Sequence, residues 1–153
     1  MKQICLIRHA KPLDAHFPDD HSRTLSEEGK KTTEAITLEL QKRGVNPTLI
    51  LSSPKLRALE TANIMGHHYQ VPVVEEELLS GHYSPYLIFP LLQNVEEGET
   101  LFVVTHMPII VELSNMLGEG ESVHSFPQSS AVLFAFSDAV QRGEGKLQFH
   151  LIP

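Results

Sequence analysis

Short, unbroken apolar runs alternate along this chain with longer amphipathic stretches. Ile4-Cys5-Leu6-Ile7 predicts a strand over about Gln3 to Ile7, and Leu101-Phe102-Val103-Val104 predicts one over Leu101 to Thr105. Runs without polar interruption are what parallel strands covered on both faces require. Leu49-Ile50-Leu51 marks a third strand, about Thr48 to Leu51, and Val71 to Val74 a shorter one. Ala131 to Phe136 and Lys146 to Leu151 read as two closing strands around an Arg142-Gly143-Glu144-Gly145 turn.

Between the strands the period lengthens. Ile36 and Leu40 mark the core face of a helix over Ser26 to Arg43. Ser26 is its cap, Glu27 and Glu28 sit in its first turn, and Lys42, Arg43 and Gly44 close it. Ser53-Pro54 predicts the opening of a second helix, to about His67, with Leu56, Leu59 and Ala62 on its buried side. A third helix falls within Ser84 to Asn94, made irregular by Pro90, and a fourth over Pro108 to Leu117, stopped by Gly118. Lys11 to Arg23, with two prolines and three aspartates, reads as a loop. Strands and helices alternating in this way predict an α/β chain: a three-layer α/β/α sandwich with a mainly parallel central sheet, as one domain over residues 1–153.

Composition narrows the function classes. A formal net charge of −7 argues against a nucleic-acid binder, because neutralising a phosphate backbone needs a basic surface. A phosphate site would have to be a local basic pocket in an acidic protein. Cys5 is the one cysteine, so no intrachain disulfide can form, and a cytoplasmic setting fits. The four apolar residues before Arg8 are too few for a signal-peptide core, and Tyr86 to Leu92, broken by Pro90, cannot span a bilayer. No membrane partner is expected.

The candidate chemistry lies just past three strands. The first ends in Arg8-His9-Ala10, the second in Ser52-Ser53-Pro54 with Arg57 beyond, and the run from Leu101 in Thr105-His106. In an open α/β sheet, ligands bind outside the carboxyl ends of the strands. Phosphoryl transfer needs an in-line nucleophile and cations around the equatorial oxygens. Arg8 and Arg57 suit the oxygens as planar, permanently charged forks. His9 or His106 suits the attack, since neutral imidazole is available near pH 7. Each piece alone also has a plain reading: a surface Arg-His pair, a helix start, a satisfied core histidine.

Three motifs together closely resemble the histidine phosphatase (phosphoglycerate mutase-like, RHG) superfamily: Leu6-Ile7-Arg8-His9-Ala10, Ser52-Ser53-Pro54-Lys55-Leu56-Arg57-Ala58-Leu59-Glu60-Thr61, and Val103-Val104-Thr105-His106-Met107-Pro108. The resemblance runs from about residue 2 to 136. It implies a phosphoglycerate mutase-like fold and a metal-independent phosphatase without cofactor. It further implies that His9 is the nucleophile that becomes phosphohistidine, and that Arg8, Arg57 and His106 line the phosphate pocket. Within the superfamily the chain looks most like the SixA-type phosphohistidine phosphatases. Asp20-His21-Ser22-Arg23-Thr24-Leu25-Ser26-Glu27-Glu28-Gly29 is similar to a segment of theirs in which Arg23 would be a further phosphate contact, and Ser129-Ser130-Ala131-Val132 is similar to their closing strand. About two dozen residues separate Leu78 from the strand at Leu101, where larger relatives carry cap-forming insertions. An open pocket suits a phosphorylated protein side chain.

Relatives acting on alkyl phosphoesters carry a carboxylic acid after the third strand to protonate the leaving group. The candidates are Glu77 and, second, Glu76, within three consecutive glutamates that equally resemble a solvated strand end. A phosphohistidine leaves as an imidazole of pKa about 6.5, so a dedicated acid matters less. The implied substrate is therefore protein phosphohistidine. A small phosphorylated metabolite is the alternative, as is a phospho-binding module without turnover. Ala10 stands where the family has Gly, and Lys11 and Pro12 where mutases carry other residues, which argues against mutase activity. The remaining histidines (His16, His21, His67, His68, His124, His150) show no metal-type spacing, so no metal is expected. His82, after Gly81, is a candidate for the pocket mouth. Ser129 and Ser130 read either as substrate contacts or as a turn before a strand.

Overall fold

A computed structural model describes residues 1–14, 17–120, 123 and 125–153. His16 and His124 lie outside the described residues. The strands are β1 (Lys2–Arg8), β2 (Leu49–Ser52), β3 (Val73–Glu75), β4 (Thr100–Thr105), β5 (Ala131–Phe136) and β6 (Lys146–Leu151). The helices are α1 (Glu27–Lys42), α2 (Leu56–Tyr69), α3 (Pro85–Leu92) and α4 (Ile109–Leu117). All six strands form one sheet in the order β3-β2-β4-β1-β5-β6. The pairs β2/β3, β2/β4 and β1/β4 are parallel, while β5 runs antiparallel to β1 and β6 antiparallel to β5. The expected mainly parallel α/β sheet is therefore present.

Side chains alternate across the pleat. Ile4, Leu6, Leu101 and Val103 turn to one face, where they meet Ile88 and Leu92 of α3 and Ile110 and Leu113 of α4. Cys5, Ile7, Phe102 and Val104 turn to the other, against Ile36 and Leu40 of α1 and Ala58, Ala62 and Met65 of α2. Two apolar faces on one sheet explain why β1 and β4 read as unbroken apolar runs. They also make the molecule three-layered.

Helix starts follow the cap rules in part. Ser26 caps α1 by accepting the Gly29 N–H, and Ser84 caps α3 by accepting the Tyr86 N–H, with Pro85 in the first turn. Two departures from the sequence reading matter. The second helix begins at Leu56, not at Pro54, and the Ser53 hydroxyl serves a histidine as well as the Lys55 N–H. The stretch read as a loop before Arg23 contains a 3-10 turn at Asp20–Ser22, capped by Asp19. A 3-10 turn also follows β3, at Glu77–Leu79.

The first turn of α1 is pressed against the chain leaving β1. Lys11 carbonyl accepts both the Ser26 N–H and the Ser26 hydroxyl, each at 2.9 Å. A Cβ at Gly29 would stand 2.3 Å from that same carbonyl oxygen, so only glycine fits there.

Candidate active site

The register of the parallel strands assembles the site. Arg8 lies opposite Thr105, and Ser52 opposite Val104, so β1, β4 and β2 end at one level. The next residue of each chain is His9, His106 and Ser53. His9 N–H donates to the Thr105 carbonyl at 3.2 Å, and Ser53 N–H to the Val104 carbonyl at 3.0 Å. On the other flank, Ser129 adopts φ +65° and its N–H points at the Arg8 and His9 carbonyls, while Ser130 carbonyl accepts the Arg8 N–H. Both serines are buried, and their backbone clasps the β1 end. The main chain of the β1 end is thus held from both neighbouring strands.

His9 and His106 are 5% and 4% exposed, with ring centroids 5.0 Å apart and planes inclined at 56°. They line a cavity of about 300 Å³ together with Arg8, Arg57, Arg23 and Lys11. Asp14, Gln128, Pro12 and Met107 complete its described wall. His9 Nδ1 lies 2.8 Å from the Ala10 carbonyl oxygen. A carbonyl can only accept, so Nδ1 carries the proton and Nε2 of the neutral ring carries the lone pair. His106 differs: its Nε2 is 2.7 Å from Ser53 Oγ, and its buried Nδ1 has no hydrogen-bond partner among the described residues.

Burial is the largest cause holding His9 neutral, with its pKa pushed down to about 4. The bond to Ala10 works against that shift, and the charges of Arg57, Arg8 and Arg23 work with it. His106 is pushed down to about 3, again first by burial, then by His9, Arg57 and Lys55, with Asp20 opposing. Both rings are therefore uncharged at neutral pH, each with a single N–H. An arriving phosphate dianion offsets the cationic part of this depression.

The cations are anchored from outside. Arg8 donates from Nη1 to the Phe126 carbonyl at 2.8 Å. Arg57 gives Nη1 to the Asp20 carbonyl (2.8 Å) and Nη2 to Asp20 Oδ2 (3.1 Å). Lys55, 9% exposed, reaches the same Oδ2 at 3.0 Å. Two buried cations sharing one oxygen hold the Asp20 carboxyl well below the usual carboxylate range. Each guanidinium carries five N–H donors, so donors remain for a ligand. Arg23 stands nearer the mouth, donating from Nη2 to the Leu13 carbonyl at 3.0 Å.

The structure thus brings Arg8, His9, Arg23, Arg57 and His106 to one cavity and leaves Glu77 out of its described wall. Glu77 opens the 3-10 turn after β3 and is exposed. Glu76 accepts the Leu78 N–H and lines a separate cavity of about 220 Å³ beside Leu49, Leu91 and Leu101. His82 is exposed and does not line the site cavity. Sequence reasoning missed Ser53, Lys55, Asp20, Asp14 and Gln128 as site residues. Ser53 and Lys55 stood inside a quoted motif. The Asp20–Arg57 pair, 37 residues apart, left no local signal.

Residues 4–82 match the histidine phosphatase superfamily (branch 1). An uncharacterized protein of Picosynechococcus sp. is 25% identical over 154 residues, covering 97% of this chain and 90% of that protein. Among solved structures, the protein histidine phosphatase SixA complexed with tungstate superposes with a TM-score of 0.85 at 22% identity, covering 97% and 96% of the two chains. A mycobacterial glucosyl-3-phosphoglycerate phosphatase complexed with VO3 gives a TM-score of 0.75 at 17% identity, over 97% of this chain and 98% of the other. At these identities the likenesses speak for the fold, here the phosphoglycerate mutase-like fold.

Proposed function

Because the chain belongs to the histidine phosphatase superfamily, and is on that ground a phosphatase, we propose that it works through a covalent phosphohistidine at His9 and that its substrate is phosphohistidine carried on a protein. The observation that carries this reading is the His9 Nδ1–Ala10 hydrogen bond, which leaves the Nε2 lone pair free in a cavity lined by Arg8, Arg23 and Arg57.

In the first step Nε2 of His9 attacks phosphorus as the bond to the leaving group breaks. Arg8 and Arg57 hold the non-bridging oxygens, where charge-assisted donors act most strongly in a water-poor site. His106 lines the same cavity, and in this reading its ring donates to the same oxygens once a phosphate enters. Arg23 adds positive charge at the mouth. Water then attacks the phosphorylated His9, and the ring departs neutral because Nδ1 keeps its proton. The family fold needs no metal for either step in this reading, and one catalytic domain spans residues 1–153.

Protein phosphohistidine is favoured by two features. Only α3, eight residues long, lies between the turn after β3 and β4, so no cap is inserted at that connection. The carboxylates after β3 stand outside the described cavity wall, as suits a leaving group less basic than an alkoxide. SixA, named a protein histidine phosphatase, shares the fold. Fold likeness to glucosyl-3-phosphoglycerate phosphatase supports a second reading, hydrolysis of a small phosphorylated metabolite. A cytoplasmic location fits both, given the single buried cysteine.

The test is turnover of a phosphorylated phosphotransfer protein beside small phosphoesters, with acid-labile label trapped on the enzyme. The expected result is label on wild type, none on His9→Ala, and preference for the phosphoprotein. Wild-type turnover by His9→Ala overturns the mechanism; preference for a phosphoester overturns the substrate.

A further inference from the structure

A phosphorylated imidazole poses a different proton problem from a phosphoester. When its P–N bond breaks, the electron pair stays on the ring nitrogen that held phosphorus. If the other ring nitrogen is bare, the ring leaves as an imidazolate, a very poor leaving group. If that remote nitrogen carries a proton, the ring leaves as neutral imidazole. The decisive proton therefore sits across the ring from phosphorus, farther out than the bridging atom at which a phosphoester needs its acid.

The enzyme already solves this problem for its own ring. His9 keeps a proton on Nδ1, held by the Ala10 carbonyl at 2.8 Å, so the ring both attacks and departs as neutral imidazole. The substrate ring needs an acceptor of the same kind placed toward solvent. Among the described residues lining the cavity, Asp14 alone carries a carboxylate. The floor, with His9, His106 and Arg57, is buried, whereas Asp14 is exposed at the mouth. The other charged groups facing it there are Lys11 and Arg23, with Arg8, Arg57 and the two histidines deeper. Lys11 is tied to Glu28 at 3.0 Å and Arg23 to the Leu13 carbonyl at 3.0 Å, so both near cations have anchors of their own.

Resting on the phosphohistidine reading above, we propose that Asp14 accepts the N–H of the substrate ring's remote nitrogen and so keeps the leaving imidazole protonated while its phosphorus moves to His9. The balance is simple. The Nε2 lone pair of His9 forms the new P–N bond, and the pair of the broken P–N bond returns to the substrate ring. The remote proton stays where it was, and no proton is delivered to the scissile nitrogen. A carboxylate is the right acceptor because the phosphorylated, protonated ring is a cation at that end. The transfer becomes nearly symmetric, one imidazole to another, with a fixed acceptor behind each.

The experiment compares phosphoimidazole with an aryl phosphate, whose leaving group has no remote nitrogen, on wild type, Asp14→Ala, Asp14→Asn and Asp14→Glu. The expected kcat preference for phosphoimidazole falls by about tenfold or more in Asp14→Ala, the size of a charge-assisted hydrogen bond. It falls less in Asp14→Asn and returns in part in Asp14→Glu. In Asp14→Asn the alkaline limb of kcat on phosphoimidazole moves to lower pH, since a neutral amide supports the ring proton less. Wild-type turnover of phosphoimidazole with a preference that moves by less than about threefold in Asp14→Ala overturns the role of Asp14 and leaves the substrate reading standing. Failure of the wild type to hydrolyse phosphoimidazole or a phosphohistidine protein overturns both.

Discussion

The ends of β1 and β4 look alike and behave differently. Each delivers one buried histidine to the same cavity, 5.0 Å from the other. His9 has its inner nitrogen tied to a backbone carbonyl, a partner with one possible role. His106 is tied to a serine hydroxyl, which can donate or accept, and its second nitrogen has no partner among the described residues. A fixed acceptor commits a ring to one tautomer and frees a lone pair for attack. A hydroxyl partner commits less and suits a ring that donates to, or turns with, a bound anion. In the mechanism we propose, the partner behind the ring separates nucleophile from ligand where strand position and burial do not.

The largest effects should break this symmetry outright. His9→Ala should lower turnover by at least roughly 10³ and abolish the labelled phosphoenzyme. His106→Asn should slow turnover by about 10² while phosphoenzyme still forms, as expected for losing one oxyanion donor. Rapid-quench labelling of both variants checks the contrast, and equal loss of label would merge the two roles.

Titration tests the shared property, burial as neutral rings. Both pKa values are depressed in the folded protein, to about 4 and about 3, below the ordinary value of about 6.5. The unfolded chain therefore binds more protons between these limits. The stabilisation is full above about pH 6.5 and is lost as pH falls through that window toward the folded values, at up to about 1.4 kcal/mol per pH unit for each ring. Urea unfolding at pH 7 and pH 5 should show the drop, and His9→Ala should remove about half of the slope. A slope that does not change in His9→Ala would contradict burial of that ring as neutral imidazole.

Smaller effects sharpen the comparison through the supporting groups. Ser53→Ala removes the partner of His106 and should reduce kcat about fivefold, in keeping with one hydrogen bond, with phosphoenzyme formation on His9 intact. Asp20→Asn loosens Arg57 and Lys55 together and should raise KM about threefold at little cost in kcat. Its effect on stability should stay below about 1 kcal/mol, because the carboxylate is 54% exposed and water screens the pair. Steady-state kinetics at fixed ionic strength reads both. A kcat loss in Asp20→Asn without a KM change would argue that the carboxylate does more than position cations.

Sheet and site were legible to different depths. β1, β4 and β5 could be read because their burial leaves an apolar signature, β6, which buries no residue fully, because the Arg142–Gly145 turn marks its start, and α1 because Ser26 and the acidic first turn mark its start. β3 was placed two residues early: it is an exposed edge strand, and Val74 is 46% exposed, so the periodic signal is weak. The start of α2 was displaced by two residues: Ser53 Oγ accepts the Lys55 N–H ahead of the helix and also meets His106, a partner 53 residues away. Among three adjacent glutamates the sequence ranked Glu77 first and Glu76 second by position alone, while the 3-10 turn after β3 leaves Glu77 exposed outside the described cavity wall. Asp14 left no trace because only the fold brings that loop over the cavity.

The seat of Lys11 against the start of α1 has a consequence for engineering. The rim of the cavity is held by the approach to that helix: Ser26 grips Lys11, the Thr24 carbonyl accepts the Leu13 N–H at 2.8 Å, and the bare backbone of Gly29 lets the helix come that close. Lys11, Pro12 and Asp14 therefore inherit their placement from a helix that contributes no side chain to the described cavity wall. Anyone grafting this cationic cup onto another sheet would have to carry the opening turn of that helix along with the three strand ends. A methyl group added at residue 29, remote in sequence from every histidine of the cup, would be felt as a displaced rim.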